Sequence, residues 1–334
     1  MRRAAVESQE TNAVTGNPPA TAVAGRLGDI GFLQVNKRSV LRSMFRPYCA
    51  ATLLLLAGCG RSPAERPGDG RLAVFAGIPP VAYLAEQIGG AHLSVEVLVQ
   101  PGQDPHTFEP TPRQVLALSR AKVFFEIGLP FENVVLAKVR EGNPQLTVVD
   151  VAKGVAKRMI DGHAHDQHAE GGEPDPHVWL SPPLLKTQAE NVAAGLSAAD
   201  PAHAEEYRRN LTALLARIDA AHQRIGRMLA PYRGRSFLVF HPGFGYFADA
   251  YGLKEEAVEA GGRPPAPKQL RALIEKAKAE GIKTVFVQPQ FDPHSVRVVA
   301  EAIGGEVVPM DGLAKDVLAN LEDIGGKIEK ALAR

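Results

Sequence analysis

Two series of short β-branched runs alternate with helical patterns, and they constrain the fold more than any other feature of the chain. The first series starts at Leu72 and continues to Val149, and the second starts at Phe237 and continues to Val308. Strands that alternate with helices at this spacing predict parallel sheets covered by helices. We therefore expect an α/β protein with two lobes, each built on a mostly parallel sheet flanked by helices.

A long helical pattern separates the two series. Residues 201–229 place apolar side chains on one face, and Asp200-Pro201 is a typical N-cap and first-turn pair. At 1.5 Å per residue such a helix is about 40 Å long, enough to connect both lobes along one side. We predict an N-terminal lobe over 71–200, one long rigid linking helix over 201–232 and a C-terminal lobe over 233–334.

The stretch before the first lobe is typical of an export signal. Residues 48–57 are an apolar run too short to span a bilayer as a helix, and Arg42 and Arg46 precede it. The run ends in Leu-Ala-Gly-Cys at 56–59, which resembles the lipobox of bacterial lipoproteins. We expect a signal peptide over 1–59, lipidation at Cys59 and a flexible tether over 60–70 that is rich in Pro, Gly and charge.

Two alternatives remain open for this stretch. Cys59 would be an ordinary residue if the signal peptide were that of a soluble exported protein. Met44 offers a later start, in which case residues 1–43 would not be translated. Either way the signal has to be set aside before the fold is considered.

The composition of the remaining chain limits its chemistry. Residues 1–59 hold seven of the 38 Lys and Arg and three of the 37 Asp and Glu, so the rest carries a formal charge of −3. A nucleic-acid partner is therefore not expected. The other cysteine, Cys49, lies within the signal, so a metal site would have to use histidine and carboxylate ligands.

Three histidines follow predicted strands in turn-forming sequences: Asp104-Pro105-His106, Asp175-Pro176-His177 and His241-Pro242-Gly243. Ligands of open α/β sheets bind outside the carboxyl ends of the strands, so the three imidazoles are expected at one cleft. Asp311 follows the last strand and is the best candidate for a carboxylate ligand. Three neutral imidazoles and one carboxylate favour Zn(II) over manganese, which prefers more oxygen ligands.

These motifs resemble those of the zinc-specific solute-binding proteins of ABC importers, the ZnuA/TroA-like family of cluster A-I. The matching stretches are 102–110, 175–182, 241–247 and 251–253. The resemblance implies two pseudo-symmetric lobes joined by a rigid helix, with Zn(II) held at their interface as the transported ligand. It also implies an extracytoplasmic or periplasmic protein, lipid-anchored to a membrane, that delivers zinc to an ABC permease driven by its ATPase.

The resemblance assigns roles to single residues. His106, His177 and His241 match the histidine ligands of the family, and Asp311 matches the position of its C-terminal aspartate. A loop before the second ligand resembles the histidine-rich loop of zinc-type members, although it is short. Its three histidines, which form a possible auxiliary metal loop, are His163, His165 and His168.

Each assignment has an alternative. The three ligand histidines would otherwise be turn residues that satisfy a nearby carbonyl. Asp311 would otherwise cap the following helix, with Glu109 or water as the fourth partner. The histidine loop would otherwise be a solvated loop. We expect Trp179 and Tyr246 to pack behind the ligand turns, and we expect four further histidines at the surface: His92, His203, His222 and His294.

The function that these features favour is a metal-binding transport component rather than an enzyme. A zinc hydrolase would need an open coordination position and a general base, for which Glu109 is the candidate. The sequence contains no His-Glu-x-x-His motif. The remaining alternatives are a manganese or iron(II) carrier of the same fold and a surface adhesin built on it.

Overall fold

The structure is a computed structural model that describes residues 70–160, 174–259 and 265–334. The first lobe contains β1 (Leu72–Ala76), α1 (Pro79–Gly89), β2 (Leu93–Val97), α2 (Pro112–Leu118), β3 (Val123–Glu126), α3 (Pro130–Arg140), β4 (Thr147–Asp150) and α4 (Pro182–Ala199). The long helix α5 (Ala204–Leu229) follows. The second lobe contains β5 (Ser236–Val239), α6 (Gly245–Tyr251), β6 (Lys254–Ala257), α7 (Pro267–Ala279), β7 (Thr284–Val287), α8 (Pro293–Ala302), β8 (Glu306–Pro309) and α9 (Val317–Leu332).

Each lobe contains a four-stranded parallel sheet, and the two sheets have the same strand order. The orders are β2-β1-β3-β4 and β6-β5-β7-β8, with every neighbouring pair parallel. The inner strands β5 and β7 are buried along their whole length, as expected for parallel strands covered by helices on both faces. The predicted fold of two pseudo-symmetric α/β lobes is confirmed.

The predicted linking helix is also confirmed. Helix α5 has a short 3₁₀ turn at each end, Pro201–His203 before it and Ala230–Tyr232 after it. One face packs against α1 and α4 of the first lobe and against α9 of the second. The buried side chains of that face are Tyr207, Leu214, Ile218, Ala221, Ile225 and Leu229.

One hydrophobic core runs through both lobes. It joins Phe124 and Trp179 of the first lobe to Phe244 and Phe247 of the second, with α5 along its side. A smaller cluster fills the outer side of the second lobe, around Leu238 and its neighbours. The lobes therefore meet through apolar packing.

Several predictions from the sequence fall outside the described residues. These are the signal peptide, Cys59, tether residues 60–69 and the loop histidines His163, His165 and His168. Among the described helices, none is both long enough and apolar enough to cross a bilayer.

Candidate metal centre

The first ligand turn follows β2 and contains Asp104 and His106. The carboxylate of Asp104 accepts a hydrogen bond from the backbone N–H of His106 at 2.9 Å and one from the hydroxyl of Thr107 at 3.1 Å. The proline between Asp104 and His106 restricts the backbone of the turn further. The turn therefore holds the His106 ring at the carboxyl end of the first sheet.

The second ligand turn is held more tightly. One oxygen of Asp175 accepts from the backbone N–H of His177 at 2.9 Å and contacts His177 Nδ1 at 2.7 Å. Both side chains are buried. A carboxylate at Nδ1 places the ring proton there and leaves the lone pair of Nε2 free, which is the arrangement of metal-binding histidines.

The third ligand histidine comes directly after β5. His241 Nδ1 hydrogen-bonds to the carboxylate of Glu259, and its backbone carbonyl accepts from the Gln288 side chain at 2.8 Å. The Nε2 atom of His241 is buried and has no hydrogen-bond partner among the described residues. Burying a nitrogen without a hydrogen-bond partner costs free energy, and coordination of a metal ion would compensate this atom.

A half-buried carboxylate, that of Glu255, shapes the loop after His241. Glu255 accepts hydrogen bonds from the backbone N–H groups of Gly243 at 3.0 Å and Phe244 at 2.7 Å. Burial raises the pKa of Glu255 to about 7 despite these two donors. Glu255 thus fixes the backbone of the loop that follows His241.

The three histidines converge between the lobes. One ring nitrogen from each of His106, His177 and His241 lies within 4.8 Å of the others. The Nε2 atoms of His106 and His177 are 3.3 Å apart, and the ring centroids of the three pairs are 4.9 to 5.3 Å apart. They border a cavity of about 30 Å³, which is the space of a single water molecule or ion.

The electrostatics of the cavity keep the imidazoles of His106 and His177 neutral at pH 7. Burial and the neighbouring imidazoles of His177 and His241 lower the pKa of His106 to about 4. Burial also lowers the pKa of His177, against the opposing hydrogen bond from Asp175. Neutral imidazole is the form that coordinates a metal ion, so these ligands need to release no proton at neutral pH.

Asp311 is not part of the converging group. Its carboxylate accepts a hydrogen bond from the backbone N–H of Leu313 at 2.8 Å, and its carbonyl accepts from Asn320 at 2.8 Å. The neighbouring Gly312 and Leu313 border the cavity. Asp311 does not cap the next helix either, because that role belongs to Asp316, whose side chain accepts from Ala319 N–H.

The remaining sequence predictions have mixed outcomes. Glu109 is exposed and does not border the cavity. His294 is exposed at the start of α8, where Asp292 accepts its backbone N–H, as predicted. His92 and His203 are partly exposed, and their rings stack at 3.8 Å and pair with Glu206 and Asp200.

The predicted packing roles of Trp179 and Tyr246 are confirmed, because both side chains are buried in the core. Both also form hydrogen bonds. Trp179 is buried and donates its indole N–H to the carbonyl of Gly312 at 2.7 Å, which ties the second ligand turn to the loop after Asp311. His222 is partly buried and lies 3.1 Å from the hydroxyl of Tyr251. His222 does not belong to the converging group.

Two carboxylates near the ligands could not be recognised from the sequence. Asp175 is part of an Asp-Pro-His motif, whereas Glu255 and Glu259 lie in the charged segment 254–259, which does not have the composition of a strand. The available signal was the alternation of Glu255, Ala257 and Glu259 on one side of an extended segment. That pattern was too short to predict a site.

Comparisons with known proteins bear on the family of the chain. The family model described as zinc-uptake complex component A, periplasmic, matches residues 74–323. The high-affinity zinc uptake protein ZnuA of Bacillus subtilis is 28% identical over 291 residues, covering 82% of this chain and 87% of that protein. The manganese-binding lipoprotein MntA of the same organism is 28% identical over 250 residues, covering 74% and 80%.

A solved structure gives the same result for the fold. A crystal structure of a ZnuA deletion mutant with zinc bound has a TM-score of 0.73 and 38% identity, and it covers 78% of this chain and 98% of that chain. The family match extends over most of the chain and includes all three converging histidines. The chain therefore belongs to the ZnuA family, whose members are the substrate-binding components of metal ABC transporters.

Proposed function

We propose that this protein captures Zn(II) outside the cytoplasm and delivers it to the permease of an ABC importer. The observation that supports this most directly is the convergence of three imidazoles, two buried and one half-buried, on a cavity of about 30 Å³ between the lobes. A cavity of this volume, bordered by three imidazoles, has room for a metal ion. We infer that this ion is the cargo of the protein.

The choice of zinc rests on the donor set. Three imidazole nitrogens suit Zn(II), whereas Mn(II) is bound mainly by carboxylate, carbonyl and water oxygens. The carboxylates of Asp175 and Glu259 contact the Nδ1 atoms of their histidines, so in this arrangement they orient ligands. One relative is named for zinc and another for manganese, so the names of the relatives do not decide between the two metals.

The fourth ligand that we propose is Asp311. Its carboxylate would have to leave the Leu313 N–H and turn toward the cavity that Gly312 and Leu313 border. Glu109 is a weaker candidate because it is exposed and away from the cavity. A water molecule is the other alternative for the fourth position.

A zinc hydrolase remains the competing class of protein, and the site is poorly suited to it. Hydrolysis needs an open coordination position, a base beside the metal and room for a substrate. The two buried carboxylates nearest the ligands, Asp175 and Glu259, are engaged with imidazole Nδ1 atoms, and the cavity has a volume of only about 30 Å³. We propose that the protein is a transport component and not an enzyme.

Three further parts of the proposal come from the sequence. The lipobox supports a lipid anchor at Cys59, so we place the protein at a membrane surface in the periplasm or its extracytoplasmic equivalent. The permease and its ATPase are the expected protein partners. We propose that His163, His165 and His168 assist in zinc capture as an auxiliary loop.

Metal competition followed by native mass spectrometry tests the proposal. The purified chain is stripped of metal and offered equimolar Zn(II), Mn(II) and Fe(II), together with the His241→Ala and His294→Ala variants. We expect one zinc ion on the wild type and on His294→Ala, and a loss of affinity of more than about 100-fold in His241→Ala. Preferential loading of manganese would change the proposed cargo, and zinc retained by His241→Ala would place the site elsewhere.

The same measurement on Asp311→Asn decides the fourth ligand. Asparagine can still accept the hydrogen bond from Leu313 N–H but brings no charge to the ion. We expect at least about tenfold weaker zinc binding if Asp311 coordinates the ion. Unchanged affinity in Asp311→Asn would assign the fourth position to water.

A further inference from the structure

The hydroxyl of Tyr246 lies between two backbone segments of the opposite lobe. Tyr246 belongs to α6 of the second lobe, yet its hydroxyl accepts from the backbone N–H of Arg158 at 2.8 Å and donates to the carbonyl of Asp175 at 3.0 Å. The backbone N–H of Asp175 in turn donates to the carbonyl of Arg158 at 2.8 Å. Arg158, Asp175 and Tyr246 thus form a closed set of hydrogen bonds, which we call the tyrosine clasp.

The tyrosine clasp lies directly behind the metal ligands. Asp175, whose carbonyl receives the hydroxyl, uses its side chain to hold His177 Nδ1 at 2.7 Å. Tyr246 itself is five residues after His241, on the loop and helix that continue from that ligand. One phenol therefore fixes the position of a first-lobe ligand relative to a second-lobe ligand.

The guanidinium group of Arg158 covers the clasp. It lies 5.8 Å from the centre of the Tyr246 ring, donates to Asp249 at 3.2 Å and is 3.9 Å from the second oxygen of Asp175. A Cβ atom at Gly245 would lie only 2.1 Å from Nη1 of Arg158. The absence of a side chain at position 245 therefore allows the guanidinium to pack against the start of α6.

We propose that Tyr246 is a positioning residue that sets the rate at which the metal leaves the site, with Arg158 holding the clasp closed. This inference rests on the proposed metal-binding function, because it concerns the same three histidines. The clasp contributes no ligand atom. Its effect is to keep His177 in register with His241, so that the ion dissociates only when the lobes or their loops separate at this point.

Tyr246→Phe is the decisive variant, because it removes only the hydroxyl. Tyr251→Phe is a matched control on the same helix, since Tyr251 is also buried and its hydroxyl contacts His222 on α5 at 3.1 Å. Zinc dissociation is followed by stopped flow into an excess of a chromogenic chelator. The absorption spectrum of bound Co(II) reports the coordination geometry, which a loss of stability alone would not change.

We expect zinc to dissociate about tenfold faster from Tyr246→Phe, with an altered Co(II) spectrum. Tyr251→Phe is expected to stay within about twofold of the wild type and to keep its spectrum. Gly245→Ala, which displaces the guanidinium but leaves the phenol, is expected to accelerate dissociation in the same direction. It also provides the test if Tyr246→Phe fails to fold.

The outcomes separate this inference from the proposed function. If the wild type holds zinc through His241 but Tyr246→Phe and Gly245→Ala release it at the wild-type rate with an unchanged spectrum, the clasp has no positioning role. Equal acceleration in Tyr246→Phe and Tyr251→Phe would also overturn it, because the effect would then be general loosening of α6. A wild type that binds no metal would instead contradict the proposed function.

Discussion

At the residue scale, the site consists of three imidazoles and the groups that orient them. Asp175 and Glu259 hold the Nδ1 atoms of His177 and His241, so the orientation of each ring depends on a buried carboxylate rather than on the ion. At His106 the carboxylate of Asp104 accepts a hydrogen bond from the backbone N–H. The protein itself therefore orients the rings of His177 and His241, which reduces the ordering that an ion has to induce.

Glu259→Gln is expected to weaken zinc binding by about 10- to 100-fold. Carboxylates behind a ligand raise its basicity and fix its tautomer, and glutamine keeps the size but loses the charge. Isothermal titration of the metal-stripped protein with zinc measures the effect. Glu256→Gln is the control, because Glu256 lies in the same segment and pairs with Lys276 away from the site. Equal affinities in the two variants would contradict the orienting role of Glu259.

The metal-free protein is expected to lose stability as the pH falls from 6.5 toward 4. Unfolded imidazoles titrate near pH 6.5, whereas the pKa of folded His106 is lowered to about 4 and that of His177 is also lowered. The unfolded state therefore binds more protons in this window, and the free energy of unfolding falls by up to about 1.4 kcal/mol per pH unit for each such group. A histidine whose pKa is raised on folding would have the opposite effect on the free energy of unfolding.

Urea denaturation at pH 7.5, 6 and 5 measures this loss. The variant His106→Gln removes one of the two groups, so its free energy of unfolding should fall less steeply with pH than that of the wild type. Zinc affinity should respond at lower pH than stability does, because protons compete with the ion for His106 only as the pH approaches its lowered pKa of about 4. If the free energy of unfolding falls equally steeply with pH in the wild type and in His106→Gln, His106 is not responsible for the loss of stability.

At the element scale, the sequence predicted best where hydrophobic periodicity is strong. Helix α5 was predictable because its apolar residues repeat on one face over 26 residues, and strands such as β5 and β7 were predictable because they are buried runs. Strand β6 was missed because Lys254, Glu255 and Glu256 are unfavourable in an isolated strand. It forms at the edge of its sheet, where Ser236 pairs with Lys254.

The candidate site was predictable to the same uneven extent. Proline-anchored turns at strand ends identified His106, His177 and His241, because local sequence and sheet topology together determine where those turns lie. The contact of Glu259 with His241 could not be predicted, since it depends on pairing between β5 and β6. The orientation of the Asp311 side chain is likewise set by tertiary contacts with Leu313 and Asn320 that no local pattern encodes.

Helix α5 is expected to contribute stability rather than metal selectivity. Ile218→Ala removes a fully buried side chain from the face that packs against both lobes, and should lower the free energy of unfolding by about 2–5 kcal/mol. Gln223→Ala, at an exposed position of the same helix, should change it by less than about 0.5 kcal/mol. Urea denaturation of the metal-free forms measures both values, and equal stabilities would contradict the packing role of this face.

At the scale of the whole molecule, the two lobes are joined in more than one way. The hydrophobic core continues from Phe124 in the first lobe to Phe247 in the second, and α5 packs along both. Trp179 and Tyr246 add hydrogen bonds across the cleft, and Lys315 forms an ion pair with Glu86 at 2.8 Å. A wide hinge motion would have to break the continuous core, at a cost in buried apolar area that one ion does not offset easily.

Solution scattering with and without zinc tests this rigidity. A compact fold of ~270 residues has a radius of gyration of about 18 Å, and we expect zinc to change the measured value by less than about one twentieth of that. Because the core and α5 connect the lobes continuously, metal binding and release should involve the ligand loops and small lobe shifts. Scattering of His241→Ala with and without added zinc controls for effects of the ion elsewhere on the chain. A large decrease in the radius of gyration of the wild type alone would mean that the lobes close over the ion as a hinge, and the continuous core would then have to separate in the metal-free protein.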